Sequence, residues 1–98
     1  MARLAVLFAG FLLPAFACAD SPTERYAPVQ LRIAQSFLEQ ARARAALGET
    51  QLASTLARQA SFDARLAWGM TDSEQLRAEA AEVGGEASAL VLRLSVRR

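Results

Sequence analysis

The chain has 98 residues, of which 53% are hydrophobic and 21% charged, and a formal net charge of +1; that is room for one small domain, in a composition too apolar and too balanced for a disordered polyelectrolyte. It contains no histidine and no lysine, and Cys18 is its single cysteine. The commonest general base, the commonest metal ligand, the Schiff-base amine and any intrachain disulfide are excluded before a motif is read.

Residues 1–20 have the layout of an export signal, with Arg3 at a charged start, an apolar run over 4–13, a breaker at Pro14 and then the small-residue string Ala15, Phe16, Ala17, Cys18, Ala19. The apolar run is shorter than the roughly 18 to 20 residues of a spanning helix, and Ala17-Cys18-Ala19 forms an A-x-A cleavage pattern. Cleavage after Ala19 is expected, which makes residues 1–19 a signal peptide and places the mature chain in the periplasm or the medium. Cleavage before Cys18 is the alternative. It would leave that cysteine as the lipidated first residue of a lipoprotein facing the periplasm, although of the three residues before it only Ala17 suits a lipobox. A membrane is expected as a partner only in that case. Loss of Arg3 leaves equal numbers of arginines and acidic residues. They are interspersed, as in Arg42, Arg44, Glu49, Arg58, Asp63 and Arg65, so they read as a solvated helix surface, and no nucleic acid partner is expected.

Residues 20–27 contain Pro22 and precede Pro28, which predicts an extended leader. Pro28 suits the first position of a helix running to Leu47. Its apolar residues Leu31, Ala34, Phe37, Leu38, Ala41 and Ala45 share one face, and Arg32, Gln35, Ser36, Glu39 and Gln40 share the other. Gly48 can adopt the left-handed conformation that ends a helix, and Glu49 is placed for the positive first turn of the next. So short a turn predicts antiparallel neighbours.

The second helix carries two stripes. Ala53, Leu56, Ala57, Ala60, Ala64 and Ala67 form an alanine-rich line for close approach to the first helix. Phe62, Leu66, Gly69, Ser73, Leu76, Ala80, Val83, Ala87, Leu90 and Leu94 alternate four and three residues apart, the spacing of a coiled-coil seam. Gly69 and a capping box from Thr71 to Glu74 predict a bend or short break, and Gly84-Gly85 is a second weak point. Residues 90–96 also alternate as a strand would, but a lone strand has no partner for its hydrogen bonds, so helix is expected. The predicted fold is all-α: an antiparallel helical hairpin with a long or broken second helix, preceded by a cleaved signal peptide. The hairpin domain covers residues 28–83, and residues 84–98 form a C-terminal helical extension open to fraying.

Tyr26-Ala27-Pro28-Val29-Gln30-Leu31, then Ala34, Leu38, the turn at Gly48, Leu56-Ala57-Arg58-Gln59-Ala60 and Asp63-Ala64-Arg65-Leu66-Ala67 carry a resemblance over roughly residues 26–80. The chain resembles the bacterial envelope domain-of-unknown-function family DUF4398. The resemblance implies an alanine-rich helical hairpin in the periplasm and no catalytic residues. Some members carry an outer-membrane-protein-A-like peptidoglycan-binding domain after the hairpin; the 98 residues hold no such domain, so direct wall binding is not expected.

No catalytic, metal or cofactor site is expected. Ser36, Ser54, Thr55 and Ser61 sit among Gln, Arg and Ala with no base beside them and are expected on solvent-facing helix surfaces, and the row Glu79, Glu82, Glu86 reads as a solvated face. Trp68 either covers the open end of the hairpin or stands exposed as an interface anchor. The candidate interface is Phe62, Leu66, Trp68, Leu76, Val83, Leu90 and Leu94. The first helix is too short to cover the far arm, so this seam is expected to seek a second copy or another envelope helical protein. A non-catalytic envelope interaction or structural module is the leading functional expectation. A membrane-tethered spacer using Cys18 and a tetratricopeptide-like peptide-binding unit are the alternatives; the latter lacks the three or so stacked repeats that such folds need.

Overall fold

A computed structural model describes residues 22–96 of the chain; the predicted signal segment, with Arg3 and Cys18, and the terminal Arg97 and Arg98 lie outside the described residues. The described residues are all-helical, in three elements: α1 (Pro22–Ala46), α2 (Thr50–Gly69) and α3 (Glu74–Val96). Among the described residues, no helix is long and apolar enough to cross a membrane.

The extended leader expected over residues 20–27 is corrected, because from Pro22 onward that segment is the opening of α1 and Pro28 lies inside the helix. Local preference is overridden here by tertiary contact. Pro22 takes the start of the helix, where a missing N–H costs nothing, and Pro28 forfeits only the bond to the Glu24 carbonyl. Against that single loss, Ala27 is fully buried, and the Glu24 carboxylate accepts bonds from the loop before α3.

α1 presents the face its sequence marks. Leu31, Ala34, Leu38 and Ala41 are buried, with Phe37 and Ala45 partly so. They meet the alanine line of α2, where Ala53, Ala57, Ala60, Ala64 and Ala67 are buried and Leu56 packs at the margin. Between the two helices Gly48 has φ 81°. The Glu49 N–H donates to the Arg44 carbonyl at 3.0 Å, and the Gly48 N–H donates to that of Ala45 at 3.0 Å, the paired bonds of a Schellman stop. Glu49 stands one residue before α2, without a capping bond of its own, and its carboxylate turns back to Arg44 at 3.1 Å.

The second arm breaks after Gly69. The Ser73 Oγ accepts from the Leu76 N–H at 3.3 Å and so caps α3, which moves the cap two residues along from the expected Thr71. Thr71 instead holds the loop together: its Oγ1 accepts from the Ser73 N–H at 2.9 Å, and its carbonyl accepts from Arg77 Nε at 2.9 Å. Residues 90–96 are helical, and α3 runs unbroken through Gly84-Gly85. The separate extension expected over residues 84–98 is therefore corrected as far as residue 96, since those residues complete a core helix.

The uncovered seam is the largest correction. Val83, Leu90 and Leu94 are buried within the chain's own core, and Leu76 packs against it in part. The reason is the break. Four non-helical residues let α3 turn back along α2 and meet α1 as well, so the stripe over residues 62–94 is not one line in space. Its α3 half faces inward, while Phe62 and Leu66 on α2 remain exposed. Close approach of α3 is helped where Gly84 lies against α2: a Cβ there would sit 3.5 Å from that of Ala64. Ser54 and Ser61, expected on a solvated surface, are buried, as is Asp63. Small hydroxyl residues continue the alanine line toward α3, and Asp63 Oδ1 accepts from Gln59 Nε2 at 3.1 Å.

Candidate interaction surface

α2 packs on both α1 and α3, and its remaining face meets solvent. Arg58, Phe62 and Arg65 recur there at spacings of four and three residues, so they project from one side of the helix. With Ser61 they form one wall of an open groove whose opposite wall is Ser88, Val91 and Leu92 of α3. The groove continues past Ser61, Arg65 and Ser88 toward Trp68, over a floor that includes Ala64, Gly84 and Gly85. From Arg58 to Trp68 it runs ten residues of α2, about 15 Å at 1.5 Å per residue. The Ser61 and Ser88 hydroxyls meet across it at 3.3 Å.

Its apolar members are large and open to solvent. Phe62 is 55% exposed, Leu92 66% and Trp68 46%. Arg77 stacks on Trp68, its guanidinium 4.4 Å from the ring centroid, a cation–π contact. Arg77 also approaches Asp72 at 3.7 Å. Of the tryptophan's two expected roles, the exposed one matches this geometry.

The predicted interface residues are thus divided. Phe62 and Trp68 line opposite ends of the groove, Leu66 is exposed without lining it, and Leu76, Val83, Leu90 and Leu94 belong to the packed interior. Arg58, Arg65, Val91 and Leu92 were missed as neighbours of Phe62. The Arg58-Phe62-Arg65 spacing was legible; what α3 adds depends on where the chain turns. A second exposed apolar line, Tyr26, Val29 and Ile33, runs along α1; its first member falls in the segment whose sequence predicts an extended leader.

The electrostatics of the α2–α3 groove and of a cleft between α1 and α3 differ. The lining of the α2–α3 groove contains Arg58 and Arg65 and no carboxylate. On the other side, between α1 and α3, Glu39, Glu82 and Glu86 line a more polar cleft with Gln35 and Arg42. Glu86 Oε1 there is paired with Arg42 Nη2 at 3.0 Å, so the glutamate row is a partly neutralised surface.

A family model described as Domain of unknown function (DUF4398) matches residues 17–83. The chain belongs to that family. No curated protein and no solved structure matches it. The DUF4398 segment takes in all of α1 and α2 and stops within α3. Arg58, Phe62, Arg65 and Trp68 therefore fall inside the matched DUF4398 region, whereas Ser88, Val91 and Leu92 on the opposite wall lie beyond it.

Proposed function

We propose that this DUF4398 chain is a non-catalytic interaction or structural module of the bacterial cell envelope, exported through a signal peptide over residues 1–19 and released after Ala19. In this reading α1 and α2 are the hairpin unit, and α3 completes a surface that docks a helical partner. The observation that carries it is the exposure of Phe62, Trp68 and Leu92 along one groove. Aromatic side chains grouped in a concave, arginine-flanked patch are the residue types that anchor protein interfaces. Export is supported by the charged start, the short apolar run and the Ala17-Cys18-Ala19 pattern.

Two measurements test this. Intact mass of the protein recovered from the envelope fraction should give a chain beginning at Asp20; an acylated chain beginning at Cys18 would move the module onto a membrane face. A photo-crosslinking residue at position 62 should give a discrete adduct in living cells, and the same residue at position 32, on the exposed side of α1, should not. Equal labelling at both positions, or none at either, would refute docking through this groove.

A further inference from the structure

The groove between α2 and α3 has the dimensions of a helix-docking site. It is open along its length, runs about 15 Å, and would hold three turns of helix. Small residues Ser61, Gly84, Gly85 and Ser88 line its middle, so a docked backbone can come close. Phe62 with Leu92 at one end and Trp68 at the other offer apolar contact at both limits. A helix seated here would lie opposite α1, in the place that a fourth member takes in a four-helix bundle.

Charge decides what kind of helix. Arg58 and Arg65 stand two turns apart on one wall, and among the described residues neither makes an ion pair; Arg25, Arg32 and Arg93 are unpaired too, so what distinguishes these two is their place beside Phe62 in a groove whose lining contains no carboxylate. A second copy placed groove to groove about a two-fold axis would set these arginines against their own counterparts, a like-charge arrangement that opposes association. Nor does the acidic α1–α3 cleft supply a matching surface. Its glutamates are accompanied by Leu38 and Val83, both buried, so it has no large exposed apolar side chain to fill the space between Phe62 and Trp68. We infer that the groove receives an amphipathic helix of a different protein, one that carries carboxylates about seven residues apart beside an apolar stripe. This rests on the docking role proposed above and names the chemistry of the partner.

The test uses the protein as purified from the envelope and three probes. The first is a fluorescent helical peptide with a leucine stripe flanked by glutamates seven residues apart; the second is the same peptide with lysines in place of the glutamates; the third is a set of vesicles containing phosphatidylglycerol. Fluorescence anisotropy should show the glutamate peptide binding in a salt-sensitive way. Changing Arg58→Glu and Arg65→Glu together should weaken it by about tenfold or more and confer binding of the lysine peptide. Circular dichroism of that variant should be unchanged, because both arginines are exposed. Failure of the glutamate peptide to bind, or equal binding of both peptides, overturns the inference. Recruitment to phosphatidylglycerol vesicles without peptide binding assigns the arginines to a lipid surface and overturns it as well. Concentration-dependent dimers that Phe62→Glu abolishes would replace the acidic partner by a second copy while leaving a docking role intact; loss of the adduct at position 62 in cells would remove both.

Discussion

Glu24 Oε1 accepts a 3.0 Å hydrogen bond from the Thr71 hydroxyl, 47 residues further along the chain. Its second oxygen accepts from the Asp72 backbone N–H at 2.8 Å. The first turn of α1 is thereby fastened to the loop that launches α3, and one carboxylate ties the opening of α1 to the reversal between α2 and α3. Thr71 is buried at this point, so its hydroxyl depends on that partner. A double-mutant cycle of Glu24→Ala and Thr71→Ala should show a coupling of about 1 kcal/mol in urea unfolding. Strictly additive losses would mean that the clasp contributes nothing.

Two glycines should respond in opposite directions. Gly48 sits at φ 81°, a region that costs an L-residue roughly 1 to 2 kcal/mol, so Gly48→Ala should lower stability by about that amount. Gly85 lies within α3 and an added Cβ there meets nothing within 4 Å. Gly85→Ala should raise stability by about 0.5 to 1 kcal/mol, the helix penalty of glycine relieved. Thermal melts of the two variants compare them directly, and a shared sign would contradict the assignment.

Close packing along α2 predicts the cost of enlarging it. Ala60 is fully buried, and Ala60→Leu should destabilise the fold by about 1 to 3 kcal/mol through overpacking. Ala43→Leu, on the exposed side of α1, should change stability by no more than about 0.5 kcal/mol. Circular dichroism melts that fail to separate the two would remove the alanine line from the interior.

The pattern of these contacts explains which parts of the fold could be read from residues alone. The α1 face from Leu31 to Ala45, the alanine line of α2 and the Gly48 stop are local signals, set by helical spacing and one permissive backbone position. The break after Gly69 was legible as well. Its consequence was not: nothing in the periodicity of Leu76, Val83, Leu90 and Leu94 distinguishes a seam awaiting another chain from a face that returns to its own. That choice rests on the geometry of residues 70–73, shaped by the short-range bonds of Thr71, Ser73 and Arg77, and on the Glu24 carboxylate, which takes the Thr71 hydroxyl and the Asp72 N–H from a segment distant in sequence. The helical opening of α1 escapes the sequence pattern for the same reason, since Glu24 gains its role only once the loop before α3 is in place. Within the groove, Phe62 and Trp68 could be singled out by size, whereas Leu92 joins them only across the α2–α3 interface.

Interior and groove residues should separate cleanly under mutation. Leu94 is buried at the far end of α3, and Leu94→Ala should cost about 2 to 5 kcal/mol. Phe62→Ser, at a position 55% exposed, should leave stability within about 0.5 kcal/mol and still abolish the photo-crosslinked adduct of a label placed at Leu92. Chemical denaturation together with in-cell crosslinking makes the comparison. A large stability loss for Phe62→Ser would place that ring in the core and remove it from the docking surface.

The return of α3 onto its own chain can be tested by one short crosslink. Arg42 and Glu86 meet at 3.0 Å between the end of α1 and the middle of α3, and both are exposed enough to replace. In the chain beginning at Asp20, which carries no native thiol, Arg42→Cys and Glu86→Cys are introduced together and treated with a short bismaleimide over a hundredfold range of protein concentration. Internally bridged monomer is expected, in a fraction that does not change with concentration. Crosslinked dimer that rises with concentration, with no internally bridged monomer, would contradict the fold by showing that α3 is covered by another chain.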